Sequence, residues 1–154
     1  MATYSFKSSG KTQEQKDIEA LKKTVLPYGI KTPVSIGSDS ILDMNYDIDA
    51  QLADNLKNLL LTNWGERLGL YRFGANLRPL TTELVAQDDF DSQAIERIRS
   101  AVEAWMPYIQ LEDFTSTIDR KENASTAVIK ITVTYNIPAL QITNRGIQIV
   151  LYAI

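Results

Sequence analysis

At Pro107–Tyr108 the spacing of apolar residues changes from about 3.6 to 2, which limits the chain to folds in which helices come first and strands follow. Upstream, Ile95, Ile98, Val102 and Trp105 recur at helical spacing, and Ile48, Leu52, Leu56, Leu59 and Leu60 form an earlier stripe. Downstream, Ile129, Ile131, Val133, Tyr135 and Ile137 alternate with Lys130, Thr132, Thr134 and Asn136, the pattern of a strand with one buried and one wet face. The expected class is α+β: N-terminal helices packed on a C-terminal antiparallel sheet of about three strands.

Punctuation residues divide the chain further. Residues 1–10 read as a flexible arm and 11–154 as a single domain. Thr12 and Gln15 form a capping box for a helix with apolar positions Ile18, Leu21, Val25 and Leu26, ended by Pro27 and Gly29. Lys31 to Ser40 is an extended connector. Asp43, Asn45, Asp47 and Asp54 imitate a calcium loop, but Ile48 stands where the turn glycine belongs and Asp54 where a bidentate Glu belongs. No metal is therefore expected, and Asp47 is read as a helix cap, with Thr62 closing that helix. Pro79 suits a first helical position ahead of Leu80, Leu84 and Val85. Asp89 or Asp91 can cap the next helix, on which Glu96, Arg99 and Glu103 form a solvated face, and Pro107 stops it. A strand of mixed polarity starts at Tyr108, Arg120 to Ser125 is a turn, and Pro138 ends the alternating strand. In the stretch after Gly146, Ile147, Ile149 and Leu151 oppose Val150, Tyr152 and Ile154, so both faces are apolar and need cover from the domain or from a partner.

Composition narrows the chemistry. Among the 154 residues there is no His and no Cys, which removes Ser-His and Cys-His devices, thiolate metal ligands and disulfides. The glycines at 65, 69 and 74 are not followed by the Lys-Ser or Lys-Thr of a phosphate loop. A carboxylate pair, Glu66 with Asp47, Asp49 or Asp89, is the one acid-base arrangement left, and it is of glycosidase type. No cofactor is expected. Residues 1–31 carry six lysines and three acids, whereas the chain as a whole is at −3 with a pI near 5.0, which argues against nucleic acid as the main ligand. No apolar run approaches the roughly 20 residues that cross a bilayer, and no signal peptide or membrane partner is expected.

Leu59 to Gly74, reading LLLTNWGERLGLYRFG, joins a leucine-rich helix to a loop with three glycines. Those glycines supply backbone freedom while Trp64, Tyr71 and Phe73 offer apolar anchors, so the loop is expected to be rigid. The run resembles the signature of the baseplate wedge family of contractile phage tails, bacteriocins and type VI secretion machines, often called the sheath initiator. Leu60, Leu61, Thr62, Gly65, Glu66, Arg67, Phe73 and Gly74 match in order and spacing, and the resemblance extends from about Pro33 to Tyr135.

This resemblance implies a structural subunit of a virion tail baseplate, assembled in the host cytoplasm, whose partners are other baseplate wedge proteins and the tail sheath protein. A historical lysozyme-like label of the family keeps a small muralytic hydrolase as the alternative. It also implies partner-binding residues. Glu66 and Arg67 either face another subunit or pair within the domain. The family's Glu-Pro-Arg after the helix-ending Trp105, implied to dock the wedge's helical bundle, is replaced here by Met106, Pro107 and Tyr108. Trp64 and Trp105 themselves read as core, and Trp105 is also counted with Met106, Pro107 and Tyr108 among the partner-binding candidates. Sheath subunits of such systems exchange strands, so a sheet edge is expected to accept one. The candidates are Ala127 to Ile137 and Ile147 to Ile154, with Ile147, Ile149, Val150, Leu151 and Tyr152 favoured.

Overall fold

The computed structural model describes residues 12–17, 26–37, 42–83, 87–120 and 127–153. Their backbone clusters into two compact units, Met1–Leu52 and Ala53–Ile154.

In the first unit, residues 13–17 are helical and open on the expected reciprocal cap. Thr12 N donates to Gln15 Oε1 at 3.1 Å, and Gln15 N donates to Thr12 Oγ1 at 3.4 Å. Ile18, Leu21 and Val25 lie outside the described residues, and Leu26 is exposed. On either side of the connector, β1 (Gly29–Ile30) and β2 (Met44–Asn45) pair as a short antiparallel ribbon, lengthened by Tyr28 N to Asn45 O and Lys31 N to Asp43 O. The calcium-like side chains have other uses. Asp43 pairs with Lys31 at 3.4 Å, buried Asn45 donates to Gln51 Oε1, and Asp47 accepts from Asp49 N, capping α1 (Ile48–Leu61) as expected. Ile48, in the first turn of α1, is half exposed and not part of a buried stripe.

The second unit takes up the rest of α1, whose Leu56, Leu59 and Leu60 are buried. Thr62 closes that helix by donating both its N–H and its hydroxyl to Asn58 O. A short helix, α2 (Leu80–Glu83), follows Pro79; Leu84 and Val85 lie outside the described residues. The long helix α3 (Gln87–Trp105) starts before Asp89 and Asp91, so neither caps it. Asp91 instead accepts a hydrogen bond from Ser116 Oγ, tying the helix to the sheet. The buried stripe of α3 is Phe90, Ala94, Ile98, Ala101 and Val102, while Ile95 and Trp105 remain 36% and 37% exposed. Two alanines that carry little hydrophobic signal thus line the face that packs most closely. Glu96, Arg99 and Glu103 are exposed as expected.

Helix α3 ends before Pro107, and a turn closed by Ile109 N to Met106 O feeds the first strand of the sheet. Strands β3 (Gln110–Arg120), β4 (Ala127–Ile137) and β5 (Ile142–Ala153) form an antiparallel meander in the order β3-β4-β5. Ser116, Ile131 and Ile149 sit opposite one another across it. All five odd-numbered residues from Ile129 to Ile137 are buried, each worth about 1.5 to 3 kcal/mol of burial. Pro138 ends β4 in a 3-10 turn, Pro138–Leu140, and Gln141 with φ of 55° reverses the chain, so β5 begins ahead of Gly146. Near that turn β3 bulges at Glu112. There the Asn136 amide donates to the Glu112 carboxylate while its oxygen accepts from Asn144 N, so one side chain of β4 ties both neighbours.

Candidate functional site

Two features of the second unit stand out: the glycine loop between α1 and α2, and the outer edges of the sheet. In the loop, Gly65, Gly69 and Gly74 all hold positive φ, at 84°, 79° and 110°. The demand is most severe at Gly74, where a Cβ would overlap the backbone carbonyl of Thr62. That approach is close because the loop folds back along the end of α1: Ala75 N donates to Leu59 O and Asn76 N to Thr62 O.

Polar ties then fix the loop's shape. The Trp64 indole N–H donates to Gly74 O at 3.1 Å, and Gly65 N donates to Tyr71 O at 2.8 Å. The Asn63 side chain works in two directions, donating to Glu66 Oε1 and accepting from Arg78 N. Arg97 of α3 reaches across to Asn76 O at 2.6 Å. Glu66 accepts two bonds from Asn63, backbone N at 2.8 Å and Nδ2 at 2.9 Å. Those two bonds, backbone first, hold its carboxyl below the usual range, with the Arg78 charge adding to the effect. Arg67 lies over the Phe73 ring at 4.0 Å, and Phe73 meets Trp105 edge-on at 5.1 Å. Of the two roles open to Arg67, pairing with a carboxylate inside the domain does not occur among the described residues.

The aromatic anchors divide. Phe73 and Trp64 pin the loop, but Tyr71 is 71% exposed, its ring edge against Gly65. Trp64 and Trp105, read as core, are 49% and 37% exposed and so lie at the surface.

At the sheet, β4 is paired on both sides, so Ala127 to Ile137 has no free edge and is withdrawn as a strand acceptor. The outer strands are β3, which the sequence did not suggest as an edge, and β5. Ile147 and Ile149 are buried on the core face, whereas Val150 and Tyr152 are exposed on the other, so the domain covers this strand on one face only. Leu151 is half buried. A pocket of about 270 Å³ brings Glu66 together with Val150, Leu151 and Tyr152, and Leu60, Leu77 and Arg78 also line it. Val150 and Tyr152 point to one face and Leu151 to the other, and no β4 residue lines the pocket, whose other walls come from the end of α1, the start of the loop and the residues around α2.

The residues after Trp105 separate as well. Met106 is 5% exposed and belongs to the core, while Pro107 and Tyr108 face outward; partial burial raises the pKa of the Tyr108 phenol. Among the described residues no group of three or more His, Cys, Asp or Glu could hold a metal ion. No helix among them is long and apolar enough to cross a membrane.

A stiff surface loop beside a sheet with unpaired outer strands is the architecture of a subunit built to join an assembly. The chain belongs to the baseplate wedge protein gp25 family, whose sequence profile matches residues 47–141, more than half its length. Its fold is similar to a chain in the cryo-EM structure of the anti-feeding prophage baseplate, with a TM-score of 0.58 and 19% identity over 77% of this chain and 90% of that one. It is also similar to a protein described as a candidate tail lysozyme from Geobacter sulfurreducens, with a TM-score of 0.50 and 18% identity over 69% of this chain and 89% of that one. Among proteins of curated function, none matches the sequence. Membership of that family makes the chain a structural baseplate component.

Proposed function

We propose that this subunit links the helical wedge proteins to the first ring of tail sheath and seeds the sheath by accepting a strand along β5. The observation that carries the reading is the contrast between the outer strands. β3 bears Glu112, Asp113 and Asp119, charges of the kind that protect an edge from unwanted pairing. β5 carries no charge after Arg145. An added strand would gain main-chain hydrogen bonds along it, with Val150 and Tyr152 touching its side chains. The side chains of Ile147 and Ile149 are spent in the core, so their contribution would be main-chain only.

Pro107 and Tyr108 are the outward members of the triplet after Trp105 and would face the wedge proteins, in contacts based on an aromatic ring in place of a bidentate Arg. Assembly in the host cytoplasm belongs to the same reading.

The test is proline placed singly at Ile149 and Val150. Alternate residues of a strand turn their N–H to opposite sides, so one variant damages the β4 ladder and the other only the outer edge. The expected result is a variant with native circular dichroism that no longer seeds sheath polymerisation. Normal seeding by both variants, with both folded, overturns strand acceptance at β5.

We read the protein as non-enzymatic. A glycosidase acid needs a raised pKa, whereas the carboxyl of Glu66 is lowered and both its oxygens are engaged by Asn63. Peptidoglycan clearing by the purified chain that vanishes in Glu66→Gln would reverse this reading.

A further inference from the structure

The glycine loop presents apolar side chains in a way that neither its own packing nor the sheet edge accounts for. Leu68 is fully exposed at 101%, Tyr71 follows at 71%, and Trp64 and Leu70 at 49% and 43%. They lie within the eight consecutive residues 64–71 and form no part of the core. Scattered exposed apolar residues are ordinary, whereas a local cluster marks an interaction surface.

The cluster is also held still. Gly65 N to Tyr71 O, Leu70 N to Arg67 O and Phe73 N to Leu70 O close successive turns, and the Trp64 indole is fixed on Gly74 O. A surface already ordered loses little conformational entropy on binding. Its content of Trp, Tyr and Arg matches that of interface anchors.

Charge selects the partner. Glu66 directs both carboxylate oxygens to Asn63, and neither Arg67 nor Arg72 has a carboxylate at ion-pair distance among the described residues. Arg67 and Arg72 against the ionised Glu66 leave residues 64–72 at +1, on a chain whose net charge is −3. Two arginines are too few for a lipid surface, where polybasic clusters of about four to eight are usual, or for a run of phosphates.

We propose that Trp64, Leu68, Leu70 and Tyr71, with Arg67 and Arg72, form a preorganised docking face for a second baseplate protein, one that offers an apolar patch rimmed by Asp and Glu. The inference rests on the baseplate reading for its choice of probe and does not involve β5.

The chain has two tryptophans, so Trp105→Phe leaves Trp64 as the only indole and keeps an aromatic ring against Phe73. This full-length variant is titrated with each purified wedge protein of the same tail, and hydrogen exchange of the unsubstituted chain in the reconstituted wedge provides a second measurement that needs no substitution. The expected result is a blue shift of Trp64 with one acidic wedge protein and slowed exchange across 65–72. In the folded double variant Leu68→Asp, Tyr71→Asp, binding weakens at least about tenfold, and in Arg72→Glu about threefold to tenfold. Unchanged affinity of the double variant, or unchanged exchange of 65–72 in the wedge, overturns the proposal. So does concentration-dependent dimerisation that the double variant abolishes, or binding to phosphatidylserine vesicles in place of a wedge protein. The proline variants of β5 separate the two ideas: they leave the Trp64 shift intact if this inference holds, whatever happens to sheath seeding.

Discussion

The glycine loop and the sheet are both rigid, by opposite means. The sheet holds its shape through side-chain alternation, with β4 burying every second residue from Ile129 to Ile137 against the domain. The loop buries little between Trp64 and Arg72, and keeps its shape through three positive φ values and hydrogen bonds from Asn63, Trp64 and Arg97. A sheet of this kind tolerates changes on its wet face and not in its core. The loop should tolerate changes in its outward side chains and not in its backbone.

The sharpest way to break that contrast is at the glycines. Gly74→Ala combines a disfavoured φ with overlap on the Thr62 carbonyl, and is expected to cost on the order of 3 to 5 kcal/mol in urea denaturation. Gly69→Ala meets a similar φ, but nothing lies within 4 Å of the added Cβ, so about 1 kcal/mol is expected. Equal losses at the two positions would show that φ alone, without the close approach, sets the loop. In the sheet, Ile131→Ala removes a fully buried side chain from the central strand and is expected to cost about 2 to 4 kcal/mol. A loss below about 1 kcal/mol would mean that the core face of β4 is not what stabilises this unit.

The same contrast explains what the sequence made legible. β4 could be read because its alternation is strict, and the helices because their leucine and isoleucine stripes are spaced for burial. Strand order could not be read: polarity reports which face of a strand is wet, and Lys130, Thr132 and Thr134 gave β4 a polar face, but it says nothing about whether the strand's two sides are paired. β3 went unnoticed as an edge because its charges and its Glu112 bulge blur the period. In the loop, the glycines and the Glu66-Arg67 pair were visible, whereas the ties that give them meaning come from Asn63 and Asn76, a residue type that sequence reading assigns to any polar turn. As core residues Trp64 and Trp105 were misplaced for a related reason: size suggested burial, but both keep more than a third of their surface exposed.

A smaller effect sharpens the electrostatic side of the loop. The carboxyl of Glu66 is lowered mainly by its backbone hydrogen bond from Asn63, so the folded state favours its charged form. The stabilisation is present above the unfolded pKa and disappears as pH falls through the lowered folded value. Because Glu66 is almost fully exposed, solvent screening keeps the effect small, a few tenths of a kcal/mol. Glu66→Gln should thus be slightly less stable than the parent at pH 7, with the gap closing below about pH 4. A gap that stays constant from pH 7 to pH 2 would show that the amide loses geometry and not charge.

Strand acceptance is tested most directly by hydrogen exchange along the two outer strands, comparing the isolated chain with the same chain in a baseplate capped by its first sheath ring. The account predicts that alternate amides of β5 between Gly146 and Tyr152, those turned away from β4, become strongly protected while the outer amides of β3 do not change. Protection gained along β3 with β5 unaltered would contradict it.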